Sequence, residues 1–459
     1  MSKITNVRLP NAAPREYSPE QFNQLVRSLE QVIFQLNSTY TPITTELAQA
    51  ALTWYEGARG ADMDSSLIVP TTFDAFGRIR VSSPYTLFDS QNRYQKDPQF
   101  SEELVTGGTA TYLPNESSVN LGVTTTSGSR AVRQTFRVFP YQPGKSLLVL
   151  ATFVMSTGKT NLRQRVGYFN ASNGVFFQVN GTTRSFVLRT NTSGTPSDAR
   201  TVNQADWNGD KLDGSGPSGL VLDTTKAQIL FMDFEWLGVG SVRCGFIING
   251  VFILCHTFNN ANDLNKVYMT TAILPIRYEI ENTGTVASSS TMTQICSSVI
   301  SEGGYDQKAI SQWARRTSPL LNVTTTYVPI VSIRLKSTSL GAVVMPATYN
   351  AIPIGSILDY EVALIKNPTL TGASWTSNST NVEMDTTATA MTGGTIVDMD
   401  YVSGSNQGSG VVSTAQDYNL DMQLGVSLAG VSDIYTLAAR TISGTDDIIG
   451  AMSYIDLTD

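Results

Sequence analysis

Val242-Arg-Cys-Gly-Phe-Ile-Ile248, then Asn249-Gly250, then Val251-Phe-Ile-Leu-Cys255 is the stretch that decides the class of fold. Two runs of mainly β-branched and aromatic residues flank an Asn-Gly pair. A two-residue type I′ turn needs positive φ at both central positions, which Asn and Gly tolerate best, so the stretch predicts an antiparallel hairpin. Similar runs lie on both sides of it, at Ala131 to Phe139, Leu147 to Met155, Arg165 to Phe169, Gly174 to Val179, Phe186 to Thr190, Ala227 to Leu237 and Tyr268 to Ile280. Gly, Asn, Asp, Pro and Ser punctuate them at spacings typical of sandwiches and jelly rolls. A second β-region follows Thr326, with runs at Tyr327 to Leu335, Ile357 to Ile365, Thr395 to Val402 and Tyr435 to Arg440.

The expected fold is therefore mainly β: a short N-terminal amphipathic helix in residues 1–72, a central antiparallel β-sandwich of jelly-roll type in 73–307, and a C-terminal β-domain in 326–459. Gln307 to Arg316 reads as a short helix leading into a Thr/Ser-rich joint, so 308–325 is expected to be a linker. Ser374 to Gly394, rich in Thr, Ser and Asn, is expected to be an exposed loop.

The totals fit that division. A chain of 459 residues is long enough for two or three separate cores. Charged residues make up 15% of it, against roughly 25% in ordinary soluble domains. Hydroxyls and amides fill the gap, which suits a surface that sits beside copies of itself without charge repulsion. The net charge is -7 and the 31 Lys and Arg are dispersed, so there is no basic stripe to grip phosphates and nucleic acid is not an expected partner. Cys244, Cys255 and Cys296 form no CxxC pair and are odd in number, which predicts buried free thiols. The opening Met1-Ser-Lys-Ile-Thr-Asn6 has no apolar signal-peptide core. The most apolar run, Leu147 to Met155, falls short of the ~20 residues of a membrane span. Neither export nor membrane insertion is expected, and assembly in a reducing cytoplasm is compatible with the thiols.

In the N-terminal region Ser18-Pro-Glu-Gln21 supplies a Ser cap, Pro at the first helical position and Gln at the third. Phe22, Leu25, Leu29, Val32 and Leu36 follow at spacings of three and four, and Val26 and Ile33 widen the stripe. The pattern predicts a docking or self-association helix, or one packed on its own domain. The wide stripe favours three copies over two.

Several stretches carry a family likeness: Asp74-Ala-Phe-Gly-Arg-Ile-Arg-Val81 with Tyr85-Thr-Leu-Phe-Asp89, Ala205-Asp-Trp-Asn-Gly-Asp-Lys-Leu-Asp-Gly214, Glu235-Trp-Leu-Gly-Val-Gly240, Pro275-Ile-Arg-Tyr-Glu-Ile-Glu-Asn282 and Ser432-Asp-Ile-Tyr-Thr-Leu-Ala-Ala-Arg440. Together they resemble virion structural proteins of marine tailed bacteriophages, cyanophages especially. The opening Val7-Arg-Leu-Pro-Asn11, leading into the Phe22 to Leu36 helix, is similar to a short N-terminal module that such proteins place before different β-domains. The resemblance implies a virion component, as tail fibre, head fibre or capsid decoration. Its partners would be further copies of itself in a trimer, other virion proteins such as a tail adaptor, nozzle or capsid, and a host surface glycan or protein. It brings no catalytic residues and no cofactor.

Chemical constellations are sparse. The single histidine, His256, follows Cys255 on a predicted strand and so is expected on the opposite face, which leaves no Ser/His/Asp or Cys/His set. The cysteines lack zinc-ligand spacing. Asp206-x-Asn208-x-Asp210 begins like a calcium loop, but Lys211 replaces the turn glycine and Pro217 the bidentate Glu, so a polar turn is favoured over an irregular Ca²⁺ site. Gly214-Ser-Gly216-Pro-Ser-Gly219 matches GxGxxG, but no strand precedes it and Pro217 obstructs the helix that should follow. Asp233-x-Glu235 and Glu279-x-Glu281 each place two carboxylates on one strand face, spaced for glycoside hydrolysis. This is the enzymatic alternative, a glycan depolymerase. The plainer reading has Arg243 and Arg277 neutralise them. Trp236 is expected in the core. Trp207 and Trp375, in predicted loops, are the candidate contacts with a glycan or a neighbouring subunit.

Overall fold

The computed structural model describes residues 23, 26–30, 83–306, 309–354, 358–404 and 420–458. Asn23 and residues 26–30 are helical, with Val26 and Leu29 exposed. Phe22, Leu25, Val32, Ile33 and Leu36 lie outside the described residues.

From residue 83 onward the chain forms two sandwiches. The first begins with β1 (Tyr85–Gln91), β2 (Phe100–Val105), β3 (Thr109–Leu113), β4 (Ser118–Val123) and β5 (Arg130–Thr135). It continues through β6 (Leu147–Val154), β7 (Leu162–Phe169), β8 (Gly174–Asn180), β9 (Thr183–Thr190) and β10 (Ser197–Asn203). It closes with β11 (Gln228–Phe234), β12 (Val242–Ile248), β13 (Val251–Phe258), β14 (Ile276–Asn282) and β15 (Ser290–Ser301). An eight-stranded sheet runs β13-β12-β11-β6-β15-β4-β3, and β1 pairs with the second half of the long β15. A seven-stranded sheet runs β10-β9-β8-β7-β14-β5-β2. All pairings are antiparallel.

Strict alternation sets which residues enter the core. In β6, Leu147, Val149, Ala151 and Phe153 are buried while the residues between them are half-buried. They meet Val166 and Tyr168 of β7, Phe177 of β8, Phe186 of β9 and Tyr278 of β14 in one core. The Asn249-Gly250 turn forms as expected, with φ of 54° and 79°.

The second sandwich uses β16 (Ile310–Arg315), β17 (Leu320–Val323), β18 (Val328–Leu335), β19 (Val344–Ile354), β20 (Asp359–Lys366) and β21 (Thr369–Thr371). It is completed by β22 (Thr376–Ser377), β23 (Val382–Asp385), β24 (Ala390–Thr392), β25 (Thr395–Ser403), β26 (Ile434–Thr441) and β27 (Asp446–Asp456). A four-stranded sheet is organised on β27, which pairs with β16, β17 and β19. It packs on a six-stranded sheet of order β22-β23-β18-β26-β20-β25, and the small β21-β24 pair lies over Ala363, Ile365 and Ala438 on that sheet's outer face. Arg137 ties the sandwiches together: its guanidinium donates to the Leu420 carbonyl at 2.8 Å and pairs with Asp421 at 2.9 Å.

Three expectations are corrected. Residues 310–315 are strand, not helix, because β27 supplies backbone partners that local spacing does not reveal; the expected linker 308–325 thus contributes β16 and β17 to the second sandwich. Tyr268 to Pro275 is not strand. Tyr168 holds it instead, its hydroxyl donating to the Ala272 carbonyl and accepting from the Leu274 N–H, while Tyr268, Met269 and Leu274 fill the core. Within 374–394 three short strands form, and the buried Asp385 accepts N–H groups from Ser374, Thr387 and Ala388, so this polar stretch is organised rather than loose.

Candidate functional site

The outer face of the seven-stranded sheet gathers the densest chemistry in the described chain. Core residues Ile276, Tyr278 and Ile280 of β14 point inward, so Arg277, Glu279 and Glu281 point outward. Register then fixes their neighbours. Glu279 stands opposite Arg165 on β7 and Val132 on β5. Arg165 in turn faces Gln178 on β8, and Gln178 faces Ser185 on β9. One step along, Glu281 lies between Arg163 and Arg130. One step the other way, Arg277 lies beside Gln134, whose amide oxygen accepts from Arg277 at 3.0 Å.

At one end of this face two phenylalanines form a closed pair. Phe169 of β7 and Phe176 of β8 have ring centroids 4.4 Å apart, and both are fully buried with Val187. Gly174 stands opposite Phe169, and a β-carbon there would fall 2.2 Å from Cβ of Phe169, so glycine at this position is what lets the ring pack. The guanidinium groups of Arg165 and Arg189 lie over both rings, and that of Arg277 over Phe169, at 5.2–6.0 Å.

Ion pairs organise the rest. Glu279, 1% exposed, is held between Arg165 and Arg277, the latter at 2.7 Å. Arg163 reaches Glu281 at 2.7 Å, Arg189 reaches Asp198 at 2.7 Å, and Arg130 pairs with Glu103. Burial on its own would raise the Glu279 carboxyl. Arg277 and Arg165 overcome that and hold it well below the usual carboxylate range. A carboxyl so held stays ionised and cannot deliver a proton as a general acid.

Where the sandwiches meet, a cleft of about 460 Å³ opens between Gln134, Phe136, Asn170 and Ile273 on one side and Leu340, Asn381 and Val426 on the other. Its first wall abuts the arginine face: Gln134 accepts from Arg277, and the Asn170 carbonyl accepts from Arg189 at 3.3 Å.

The opposite outer face, on the eight-stranded sheet, carries an apolar patch beside the Asp233–Arg243 pair. Register places Phe252, Ile247 and Ile229 in one row and Leu254, Phe231 and Leu150 in a second, while a third holds Leu148 between Ile300 and the Asp233–Arg243 pair. Phe252 is 54% and Ile229 38% exposed, and Phe231 stacks edge-on against Phe252 at 5.1 Å.

The residues singled out from sequence fare unequally. Trp207 is corrected: it is 2% exposed, stacked on Phe186 at 4.6 Å with its indole N–H on the Val202 carbonyl, and so is a core residue, not a surface contact. Its loop folds back under the sheet edge because Asn208, Gly209 and Asp210 bond the backbone of β13. Trp375 is half-buried under the Arg334 guanidinium at 4.1 Å. Trp236 is half-buried, its N–H on the Met269 carbonyl.

His256 does not point away from Cys255. The register shift between Cys244 and Gly245 leaves Cys255 as an extra residue, a β-bulge, and both Cys255 and His256 are buried. His256 Nδ1 accepts the Asn208 N–H at 3.3 Å, and burial together with Arg200 lowers its pKa to about 4. Asp210 accepts N–H groups from Leu212 and Ser218, and the Asn208 side-chain oxygen accepts from Thr257 of β13, so the calcium-like stretch spends these oxygens on its own loop and on the neighbouring strand. Asp233 pairs with Arg243 directly across β11 and β12, while Glu235 is exposed in the turn beyond. The arginine face as a unit was not foreseen. Its signal was present in Arg163-x-Arg165 and Arg277-x-Glu279-x-Glu281, which share a strand period of two.

Comparison of the sequence with protein-family models and with curated proteins finds no match. Among solved structures, the chain is similar to the carbohydrate recognition domain of Emp47p at 12% identity, over 50% of this chain and 98% of that one, with a TM-score of 0.30. It is similar to an engineered GH43 glycoside hydrolase at 14% identity, over 49% and 45%, with a TM-score of 0.30. Peanut lectin matches at 11% identity, over 48% and 98%, with a TM-score of 0.29. None of these likenesses bears on what this chain binds or does.

Proposed function

We propose that this chain is a non-catalytic structural component of a tailed-phage virion, a homotrimeric tail fibre or tail-associated appendage that docks through its N-terminal segment and displays β-sandwiches towards a host. The observation that carries the assembly part of this reading is the apolar outer face of the eight-stranded sheet. Phe252, Ile229, Ile247, Leu254 and Leu150 are contiguous across four strands, and a surface of that kind belongs against another protein. Its occupant in this reading is a second copy of the chain, whose low charge density removes the usual repulsion between like surfaces. The paired state of Glu279 supports a display role over a depolymerase, since Arg165 and Arg277 hold its carboxyl ionised and so unavailable as a general acid.

Cryo-electron microscopy of the whole particle tests the reading. The expected result is density for this chain at the tail, in three copies per appendage with the Phe252 face covered. Density spread over the capsid lattice would replace the fibre with a decoration or head-fibre protein. Turnover of host polysaccharide by the purified chain, lost in Glu235→Gln or Glu279→Gln, would replace it with a depolymerase.

A further inference from the structure

We propose that the outer face of the seven-stranded sheet binds an acidic saccharide, with a carboxylate or sulfate group seated beside Arg163 and Arg165. This deepens the display reading by giving it a ligand class. Two independent observations support it. The first is charge: among the described residues, Arg130, Arg163, Arg165, Arg189 and Arg277 meet only Glu103, Glu279, Glu281 and Asp198 in ion pairs on this face. Arg165 and Arg277 share the carboxylate of Glu279, and Arg165 and Arg163 share that of Glu281, so five guanidinium groups meet four carboxylates and leave a positive surplus on a sheet whose interior side is hydrocarbon.

The second is hydrogen bonding. The Nε–H groups of Arg163 and Arg165, two residues apart on one strand face, are buried without an acceptor, although Arg165 as a whole is only 5% exposed. An unmet donor in so dry a place is costly, and an incoming anionic oxygen relieves it. Arg163 gives access: its side chain is 28% exposed and that of Glu281 21%, so the row they form is the open edge of the face. Gln178, half-buried, and Asn180, exposed, continue the same face on β8 and offer amides suited to sugar hydroxyls. A neutral sugar would leave the surplus charge uncompensated; a uronate or sulfated residue removes it.

The experiment titrates the purified full chain by calorimetry with oligomers of a polyuronate, a sulfated glycan and a neutral glucan of matched length, at low and at high salt. Binding of the acidic oligomers, weakened by salt and absent for the glucan, is expected, and the stronger acidic arm identifies carboxylate or sulfate as the natural group. Arg163→Gln should weaken binding about tenfold. Glu281→Gln, which raises the surplus, should tighten it, an outcome that partial unfolding cannot mimic. Absence of binding to either acidic oligomer, or equal affinity in both variants, overturns the proposal, as does equal binding of the neutral glucan. Each of these results leaves the position of the chain in the particle untouched, so failure here is distinct from failure of the virion reading.

Discussion

The first sandwich has two outer faces built by the same alternation and left in opposite states. On the seven-stranded sheet the outward residues are arginines and carboxylates, yet Arg165, Arg277 and Glu279 are nearly as buried as the core. On the eight-stranded sheet they include Phe252 and Ile229, which stand exposed, and Ile247 and Leu254, which are half-buried, beside the Asp233–Arg243 pair. Polarity thus fails to predict burial on either side. The charged face is held by ion pairs, ring stacking and register but keeps two buried guanidinium N–H donors unmet, while the apolar patch has found no partner within the described chain. In the proposed reading the first face is a stability element that holds a ligand surface in place, and the second an assembly element.

That contrast can be broken at several points. The largest effect is expected from Glu279→Gln, which leaves Arg165 and Arg277 facing each other in a dry site; a loss of about 3–5 kcal/mol in urea unfolding is expected. A loss below 1 kcal/mol would show that the charged face contributes little to folding. Next comes pH. His256 titrates near 4 in the fold and about 6.5 when unfolded, so its contribution is present above 6.5 and is lost as pH falls towards 4, amounting to up to about 3 kcal/mol. His256→Leu should flatten the stability profile across that window. The Glu279 carboxyl, depressed in the fold, adds its own loss only below its unfolded value of about 4.3, so Glu279→Gln flattens the acid limb and leaves the histidine window alone. Phe252→Asp is expected to change the unfolding energy by less than about 1 kcal/mol while shifting the sedimentation mass towards the monomer. An unchanged mass would remove the assembly role of that face. The smallest effect on stability, about 0.5 kcal/mol, is expected from Arg163→Gln, because its pair with Glu281 is partly solvated.

Much of the fold was legible because alternation and turn chemistry are local. The Asn249-Gly250 hairpin, the strand at Leu147 to Val154 and those at Gly174 and Thr395 begin within a residue of where the sequence placed them. What failed was decided at a distance. Ser311-Gln-Trp-Ala314 carries no strong strand signal and becomes strand only because β27 lies beside it. Cys255 breaks its own alternation by bulging, so a two-residue period could not place His256. Trp207 sits in a loop by sequence and in the core by structure, since a loop's location does not say which way its largest side chain turns. For the site, the pairing of Asp233 with Arg243 followed from the sequence, whereas the gathering of Arg165, Arg189 and Arg277 over one phenylalanine pair needed the order of four strands.

The organisation of the second sandwich around β27 has a consequence in time. During synthesis β16 and β17 leave the ribosome before the strand that both must pair with exists, and β19 waits for the same strand. The four-stranded sheet therefore cannot form progressively; it snaps together only after residue 456 has emerged. A chain that stalls or is clipped earlier presents the first sandwich folded and the second as unpaired strand edges, a state that chaperones and proteases recognise. β27 thus acts as a checkpoint for this sheet, which closes only in chains whose translation has run through it.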